Sequence, residues 1–257
     1  MRGHELFNLM KLVVNPKYER FTDFLRRIPD GTIETEEVYK RNRNLVTRIT
    51  HEGVDLVVKQ FKVPNGLNKF VYSWLRQSKA RRSFEYAQRL LDMGIDTAEP
   101  VAYIEIRKSG LFHTGYFISK FVEDNLLHTI EKCDRETQEA IIRDFARFTV
   151  EMNDNGLFHK DYNSGNIFYR KDGDRFRFAL IDINRLRFRR PNKNEVINSL
   201  DRLTLSRLLT VQISAEYANL RGWNPDTLSG AVLMRKGMNM RKRVKNLLKR
   251  LFGSSHK

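Results

Sequence analysis

The sequence predicts an α+β fold with two lobes, a small β-rich N-lobe and a larger helical C-lobe. Apolar patterns typical of strands are concentrated in residues 35–121. Helical patterns, interrupted by one hairpin, dominate residues 122–230. Strands that come first and helices that come later favour segregated layers over alternating β-α units. At 257 residues, of which 40% are hydrophobic, the chain is long enough to bury a sizeable core.

The predicted N-lobe begins with a meander of strands. Polar and apolar side chains alternate in residues 46–50, and Glu52-Gly53 has the composition of a tight turn. An apolar run then leads to Lys59. We expect residues 1–34 to form an extension that packs on this lobe.

A helix and a second pair of strands complete this lobe. Aromatic and aliphatic side chains recur at helical spacing over residues 68–93, and Gly94 predicts the end of the helix. Strands return in residues 99–122, where Ser109-Gly110 predicts a hairpin turn. The predicted N-lobe is therefore a sheet with one helix in the middle of its sequence.

The C-lobe contains the strongest helical pattern of the chain, in residues 135–155. Ile141, Phe145 and Met152 fall on one face of this helix, which predicts a face buried in the core. Further helices are expected from about Glu195 onward.

The stretch HKDYNSGNIFY, residues 159–169, lies between these helices. Asn163 to Gly165 suit a tight bend, and Asp172-Gly173 predicts the hairpin that follows. Turn chemistry does not explain why Asp161 and Asn166 stand five positions apart, directly before an apolar strand.

Phosphoryl transfer from ATP accounts for this pair once three further residues are considered. Mg²⁺ prefers oxygen ligands and bridges nucleotide phosphates, while a lysine pairs with the phosphates and a carboxylate aims that lysine. Another aspartate must accept the proton of the attacking hydroxyl. The chain offers these groups in a workable order: Lys59, Glu85, Asp161, Asn166 and Asp182.

The motif His159-x-Asp161-x-x-x-x-Asn166, followed by Asp182-Ile183-Asn184, resembles the catalytic loop and metal-binding turn of the protein-kinase-like superfamily. The chain is most similar to the lipopolysaccharide kinase family, which phosphorylates Kdo or heptose sugars of the lipopolysaccharide core. The stretches LVVKQF, FHKDYNSGNIFY and LIDINRLRF carry this resemblance, which covers residues 35–210.

The resemblance implies a protein-kinase-like fold, ATP and Mg²⁺ as cofactors, and a role for each residue of the set. By this resemblance, Lys59 contacts the α- and β-phosphates and Glu85 pairs with that lysine. Asp161 is the catalytic base, and Asn166 and Asp182 are the Mg²⁺ ligands. Ile118 to Phe121 form the hinge that binds the adenine, with Ser119 and Phe121 at the nucleotide.

The sequence also departs from the pattern of protein kinases. The stretch KRNRNLV, with Asn42 and Asn44, stands where a glycine-rich loop would precede Lys59. The metal-binding turn reads Asp-Ile-Asn, and no segment ending in Ala-Pro-Glu follows Asn184. A regulated protein kinase is therefore disfavoured.

Positive charge is concentrated at the end of the chain. The net charge is +16, and residues 231–257 contain nine Lys or Arg and no acidic residue. Met240, Leu247 and Leu251 share one helical face, which favours a helix lying on an anionic membrane surface. A last helix packed on the C-lobe with a solvated basic face is an open alternative. Residues 68–82 mix aromatic and basic side chains in the same way.

The expected partners are the lipopolysaccharide core glycolipid and the membrane surface. No helix-turn-helix, zinc or RNA-recognition signature is present, so nucleic acid is not expected. The sequence has a single cysteine, no apolar run of the ~20 residues that a membrane span needs, and no signal-peptide core. These features predict a cytoplasmic protein. Together with the resemblance, they predict a protein that is peripheral on the inner membrane of a Gram-negative bacterium. Two alternatives stay open: a soluble aminoglycoside-like or metabolite kinase, and a non-catalytic kinase-like binding protein.

Overall fold

The computed structural model describes residues 8–40, 44–61 and 77–252. The chain forms two compact units. The first contains the chain up to Glu123 together with Asp182–Asn184, and the second contains Asp124–Ile181 and the chain from Arg185 onward. A sheet dominates the first unit and helices dominate the second, which confirms the predicted α+β fold.

The first unit is built on a six-stranded antiparallel sheet with the order β1-β6-β7-β4-β3-β2. Among the described residues, this part of the chain also contains a short strand, β5, and two helices, α1 and α2. The elements are β1 (Asn8–Val14), α1 (Thr22–Arg26), β2 (Glu37–Lys40), β3 (Asn44–His51), β4 (Val54–Phe61), α2 (Lys79–Asp92), β5 (Asp96–Thr97), β6 (Pro100–Lys108) and β7 (Leu111–Lys120).

The predicted hairpins of this sheet are confirmed. β3 and β4 pair antiparallel across Glu52-Gly53, and both turn residues have positive φ angles, 48° and 71°. β6 and β7 pair across Ser109-Gly110, where φ is again positive for both residues. Glycine adopts this backbone region without steric cost, which is why the second turn position is glycine in each hairpin.

Residues 8–34 take part in the core of the N-lobe. β1 pairs with β6 along its whole length, so that Leu12 lies opposite Ile104. Phe21 and Leu25 are fully buried in the same apolar cluster as residues of β3, β4 and β7. This segment is therefore part of the sheet and its core.

Helix α2 packs against β6 and β7. It begins after Ser78, whose hydroxyl accepts the backbone N–H of Arg81 and caps the helix. A Cβ at Gly115 of β7 would lie only 3.0 Å from the Cβ of Ala80, so glycine lets the helix approach the sheet closely. The predicted helix start near residue 68 lies outside the described residues, as do Asn42 and the first part of the aromatic and basic stretch 68–82.

The second unit combines four helices with short strands. β10 pairs antiparallel with β11 and with β8, and β9 pairs antiparallel with β12. The elements are β8 (Asn125–Leu126), α3 (Arg135–Asp154), β9 (Phe158–His159), β10 (Ile167–Asp172), β11 (Arg175–Leu180), β12 (Leu186–Arg187), α4 (Lys193–Asp201), α5 (Arg207–Arg221) and α6 (Pro225–Phe252).

Helix α3 confirms the strongest helical prediction. It begins after Asp134, whose carboxylate accepts the N–H of Thr137, and ends at Asp154. Its predicted apolar face is buried, with Ile141 and Phe145 fully excluded from solvent. The ring of Phe145 stacks near those of Tyr162 and Phe178, so α3 forms the centre of this unit's core.

Helix α6 begins at Pro225, before the basic segment 231–257 starts, and continues into that segment without a break. Leu228 and Val232 are buried where the helix packs against α5, whereas Met234 and Met238 are largely exposed. The first part of the helix therefore packs on the C-lobe, and the two alternatives given for the basic stretch that follows it stay predictions. In the part of the chain that the structure describes, no helix is both long and apolar enough to cross a membrane.

Candidate active site

The predicted lysine and metal-binding aspartate meet in the first unit. Lys59 lies on β4, a strand with neighbours on both sides, opposite Val46 of β3 and Phe117 of β7. Its Nζ donates to Oδ1 of Asp182 over 2.6 Å. Only 17% of the Lys59 side chain is exposed, so the ion pair is partly shielded from water.

Asp182 is held by its backbone conformation and by a second donor. Its φ of 53° lies in the left-handed region, which aspartate tolerates better than most residues. The amide Nδ2 of Asn184 donates to the same Oδ1 over 2.6 Å, and Asn184 is only 7% exposed. Asn184 is not among the site residues predicted from the sequence, although its amide two positions after Asp182 was the available signal. We assign it as a residue that positions this carboxylate.

The predicted pairing of Lys59 with Glu85 is not what the structure shows. Glu85 on α2 accepts from Nε of Arg81 over 2.6 Å, while Lys59 pairs with Asp182. Arg81 lies four residues before Glu85, on the same helical face, and such neighbours meet without any tertiary requirement. This local pair competes for the carboxylate that the lysine was expected to use.

The predicted hinge lies at the end of β7. Ser119 is buried and lies opposite Val57 of β4, and the backbone N–H of Phe121 donates to the carbonyl of Asp55 over 2.9 Å. The guanidinium carbon of Arg48 lies 4.4 Å from the centroid of the Phe121 ring. The segment is thus fixed to the sheet by its backbone and by this side chain.

In the second unit, His159 supports the loop that contains the predicted base. β9 and β12 pair so that His159 lies opposite Leu186, and the imidazole is 1% exposed. Its Nδ1 accepts the backbone N–H of Asp161 over 2.9 Å. The imidazole therefore braces the loop.

The spacing of Asp161 and Asn166 has a structural basis. Asn163 accepts the N–H of Gly165 and turns the chain, which brings Nδ2 of Asn166 to 3.0 Å from the carbonyl oxygen of Asp161. The carbonyl of Asn166 in turn accepts the N–H of Ile181, the residue before Asp182 in the chain. The five-residue spacing therefore closes a short loop through the Asn166 amide.

Tyr162 anchors this loop in the core. Its side chain is fully buried, its ring stacks on Phe145 with 5.7 Å between centroids, and its hydroxyl lies 2.9 Å from that of Thr149 on α3. Burial raises the pKa of the Tyr162 phenol far above its usual value, so this hydroxyl stays protonated. The residue next to Asp161 is therefore a rigid attachment point.

Two arginines that sequence reasoning missed contact the Asp161 carboxylate. Nη1 of Arg185 lies 3.3 Å from Oδ2, and Nη1 of Arg202 lies 3.4 Å from Oδ1. Both arginine side chains are about half exposed, at 57% and 47%. Their positions in the sequence carry no motif that links them to Asp161.

No three His, Cys, Asp or Glu side chains cluster as a ready-made metal centre within the described ranges. The oxygen-bearing side chains proposed for Mg²⁺ are instead the carboxylate of Asp182 and the amide of Asn166. Magnesium in phosphoryl-transfer enzymes is often bound through one or two protein oxygens together with substrate phosphates.

An antiparallel sheet whose Lys59 forms a partly buried ion pair with Asp182, and a helical unit bearing an Asp-x-x-x-x-Asn loop, define a protein-kinase-like phosphotransferase. Residues 36–221 match the profile of the Lipopolysaccharide kinase (Kdo/WaaP) family. The match covers most of the chain, and the protein therefore belongs to that family and is a kinase.

Solved structures agree with this fold. The chain is similar to WaaP in a complex with acyl carrier protein, at a TM-score of 0.62 and 19% identity, covering 90% of this chain and 98% of that one. It also resembles the aminoglycoside phosphotransferase APH(2")-IIa in a ternary complex with streptomycin and ATP, at a TM-score of 0.52 and 14% identity, covering 95% and 96%. For a phosphotransferase from Ralstonia eutropha the TM-score is 0.51 and the identity is 12%, covering 83% of this chain and 85% of that one. No curated protein matches the chain by sequence.

Proposed function

We propose that the protein transfers the γ-phosphoryl group of ATP to a hydroxyl of Kdo or heptose in the lipopolysaccharide inner core. The observation that carries this proposal is the closed Asp161–Asn166 loop in a chain of the lipopolysaccharide kinase family. A non-catalytic binding protein is disfavoured, because Lys59, Asp161, Asn166 and Asp182 are all present.

Asp161 is the proposed base. The carboxylate orients the sugar hydroxyl and takes its proton while the oxygen attacks the γ-phosphorus. A new P–O bond to the sugar forms, the bond between the γ-phosphorus and the bridging oxygen breaks, and ADP leaves. The anchored neighbours His159 and Tyr162 fix the backbone that presents this carboxylate.

Lys59 and Asp182 are the proposed phosphate-facing pair. Lys59 contacts the α- and β-phosphates, and Asp182 keeps its Nζ oriented through the 2.6 Å contact. We propose that the segment Ile118 to Phe121, with Ser119 and Phe121, receives the adenine through its backbone. Glu85 has no assigned nucleotide contact, since its carboxylate pairs with Arg81.

The donor atoms suit magnesium. Because Nδ2 of Asn166 is committed to the Asp161 carbonyl, the Oδ1 of this amide is the atom left to act as a ligand. The Asp182 carboxylate has two oxygens, and Lys59 and Asn184 both donate to Oδ1. When bound, Mg²⁺ neutralises charge on the transferring phosphates. We propose that Asn166 and Asp182 hold it.

We propose that the protein works at the cytoplasmic face of the inner membrane, bound to anionic lipid by residues 231–257. Met234 and Met238 lie one turn apart on α6 and are 70% and 59% exposed, beside the basic residues that follow. Exposed apolar side chains flanked by cations are typical of interfacial helices. Because Val232 is buried, the test removes residues 243–257 only.

The membrane proposal is tested by sedimentation with vesicles of phosphatidylglycerol and of phosphatidylcholine. The full chain is expected to pellet with the anionic vesicles, and the chain ending at Lys242 is expected to pellet less. Equal pelleting of both chains, with equal melting temperatures, would remove these residues as a membrane anchor.

The activity is tested with radiolabelled ATP and three acceptors: Kdo-bearing lipid A, heptose-bearing core glycolipid, and kanamycin. Transfer to one glycolipid, and its loss in Lys59→Met, is the expected result. Transfer to kanamycin alone would favour the small-molecule alternative. ATP binding without transfer to any acceptor would favour a binding protein.

A further inference from the structure

A cleft of about 440 Å³ lies in the second unit, outside the residues assigned above to ATP and magnesium. One wall is the loop that follows α4, with Arg202 and Thr204, and the other is α6, with Lys236, Asn239 and Lys242. A cleft of this size is large enough for one sugar residue and its substituents.

Side chains from α6 fasten the two walls together. Nζ of Lys236 donates to the carbonyl of Leu203 over 2.7 Å and to the hydroxyl of Thr210 over 2.9 Å. Nδ2 of Asn239 donates to Asp201 over 2.6 Å. These bonds join α6 to the loop at Leu203, to the end of α4 at Asp201 and to α5 at Thr210, so the cleft is pre-formed.

The lining of the cleft is positively charged. Arg202, Lys236 and Lys242 contribute three cations, against the single carboxylate of Asp201. That carboxylate belongs to a buried residue and accepts the Asn239 amide, whereas Arg202 and Lys242 are exposed. Charged donors of this kind bind carboxylate and phosphate groups.

The loop wall is continuous with the catalytic loop. Arg202 reaches the Asp161 carboxylate, with Nη1 at 3.4 Å from Oδ1. Thr204 donates to the side-chain oxygen of Asn163 over 3.1 Å, and its hydroxyl lies 2.5 Å from that of Ser164. An anion bound in the cleft would therefore lie beside the proposed base.

We propose that this cleft is the acceptor's anion subsite. It binds a carboxylate or phosphate of the glycolipid, with Lys242 and Arg202 as the recognising side chains, and so places the neighbouring sugar hydroxyl at Asp161. This inference rests on the proposed sugar kinase activity and names the feature of the acceptor that is recognised. A polycationic acceptor such as an aminoglycoside is repelled by the same side chains.

Lys242→Gln and Arg202→Gln are tested against three forms of the glycolipid that wild type phosphorylates, either Kdo-bearing lipid A or the heptose-bearing core: the intact form, the carboxyl-reduced form and the dephosphorylated form. Each variant is expected to raise KM for the intact acceptor at least tenfold, because a charge-assisted hydrogen bond is lost. With the form that lacks the recognised anion, wild type and Lys242→Gln should have equal KM. The form for which they converge identifies the anion as carboxylate or phosphate.

Arg143→Gln is the matched control, because Arg143 is an exposed arginine on α3, away from the cleft lining. It is expected to leave KM for every acceptor unchanged, and Lys242→Arg should recover most of the affinity lost in Lys242→Gln. If wild type phosphorylates the acceptor and Lys242→Gln has the wild-type KM, the subsite is refuted while the kinase activity stands. If wild type phosphorylates neither Kdo-bearing lipid A nor the heptose-bearing core glycolipid, the proposed function itself fails.

Discussion

The two carboxylates proposed for catalysis, those of Asp182 and Asp161, are held in different ways. The Asp182 carboxylate has two short bonds of 2.6 Å, from Lys59 and from the buried Asn184. Among the residues that the structure describes, the Asp161 carboxylate has two long contacts, of 3.3 and 3.4 Å, from arginines that are about half exposed. At Asp161 it is the backbone that is fixed, through the buried residues His159 and Tyr162.

This difference matches the tasks proposed for the two residues. A metal ligand benefits from a fixed orientation, which short charge-assisted bonds provide. A base that meets a new substrate in each turnover needs a fixed position. Its side-chain partners must also be displaced at a low cost in free energy, as the partners in exposed ion pairs are. The following variants test whether Asp182 is positioned by bonds to its side chain and Asp161 by the anchoring of its backbone.

The largest effect is expected for Asp161→Asn. The amide keeps the size of the side chain but cannot take the hydroxyl proton, so kcat should fall by about a thousandfold. Steady-state kinetics with the glycolipid acceptor measure this, and the melting temperature should stay at the wild-type value. Asp174→Asn, in the exposed turn between β10 and β11, is the control and should retain full activity. Wild-type kcat in Asp161→Asn would exclude it as the base.

A smaller effect is expected for Asn184→Ala. Without the amide that fixes Asp182, the Mg²⁺ concentration for half-maximal activity should rise by about tenfold. Titration of activity with MgCl₂ measures this. Asn192→Ala is the control, since it removes the capping amide of α4 and should cost about 1 kcal/mol of stability with no change in magnesium dependence. An unchanged magnesium titration in Asn184→Ala would contradict its positioning role.

Tyr162→Phe tests the backbone anchor. Loss of the buried hydroxyl contact with Thr149 should lower the free energy of unfolding by about 1 kcal/mol. Urea denaturation measures this. Tyr39→Phe, on the half-exposed strand β2, should change stability less. A larger loss in the Tyr39 variant would show that the Tyr162 hydroxyl is not a significant anchor.

The smallest effect is expected for Glu85→Gln. The i,i+4 pair with Arg81 contributes about 0.3–0.5 kcal/mol, and Lys59 is oriented by Asp182, so kcat/KM should change less than about twofold. Lys59→Met, assayed beside it, should lose activity severely. A loss in Glu85→Gln as large as that in Lys59→Met would show that the lysine pairs with Glu85 during turnover.

Local signals predicted much of the fold. Glu52-Gly53 and Ser109-Gly110 lie in turns because glycine accepts a positive φ, and the apolar face of residues 135–155 is buried as its spacing predicts. The pairing of β1 with β6 joins segments about ninety residues apart, and nothing local in the sequence specifies that register.

In the site, too, the sequence predicts local contacts and does not predict contacts between residues that are far apart in the chain. His159, Asp161 and Asn166 are recognisable because a short loop brings them together, and the structure shows the bonds between them. Arg185 and Arg202 reach Asp161 only through the tertiary fold. The Glu85 pairing failed for the opposite reason, since a local partner, Arg81, competes with the distant lysine.

The most direct test of the proposed kinase activity is mass spectrometry of lipid A and core oligosaccharide from cells that lack the gene. Cells carrying the wild-type gene should show one phosphate on a core sugar that is missing from the deletion strain and from the strain carrying Asp161→Asn. An identical glycolipid in all three strains would contradict the assignment of this protein as a lipopolysaccharide core sugar kinase.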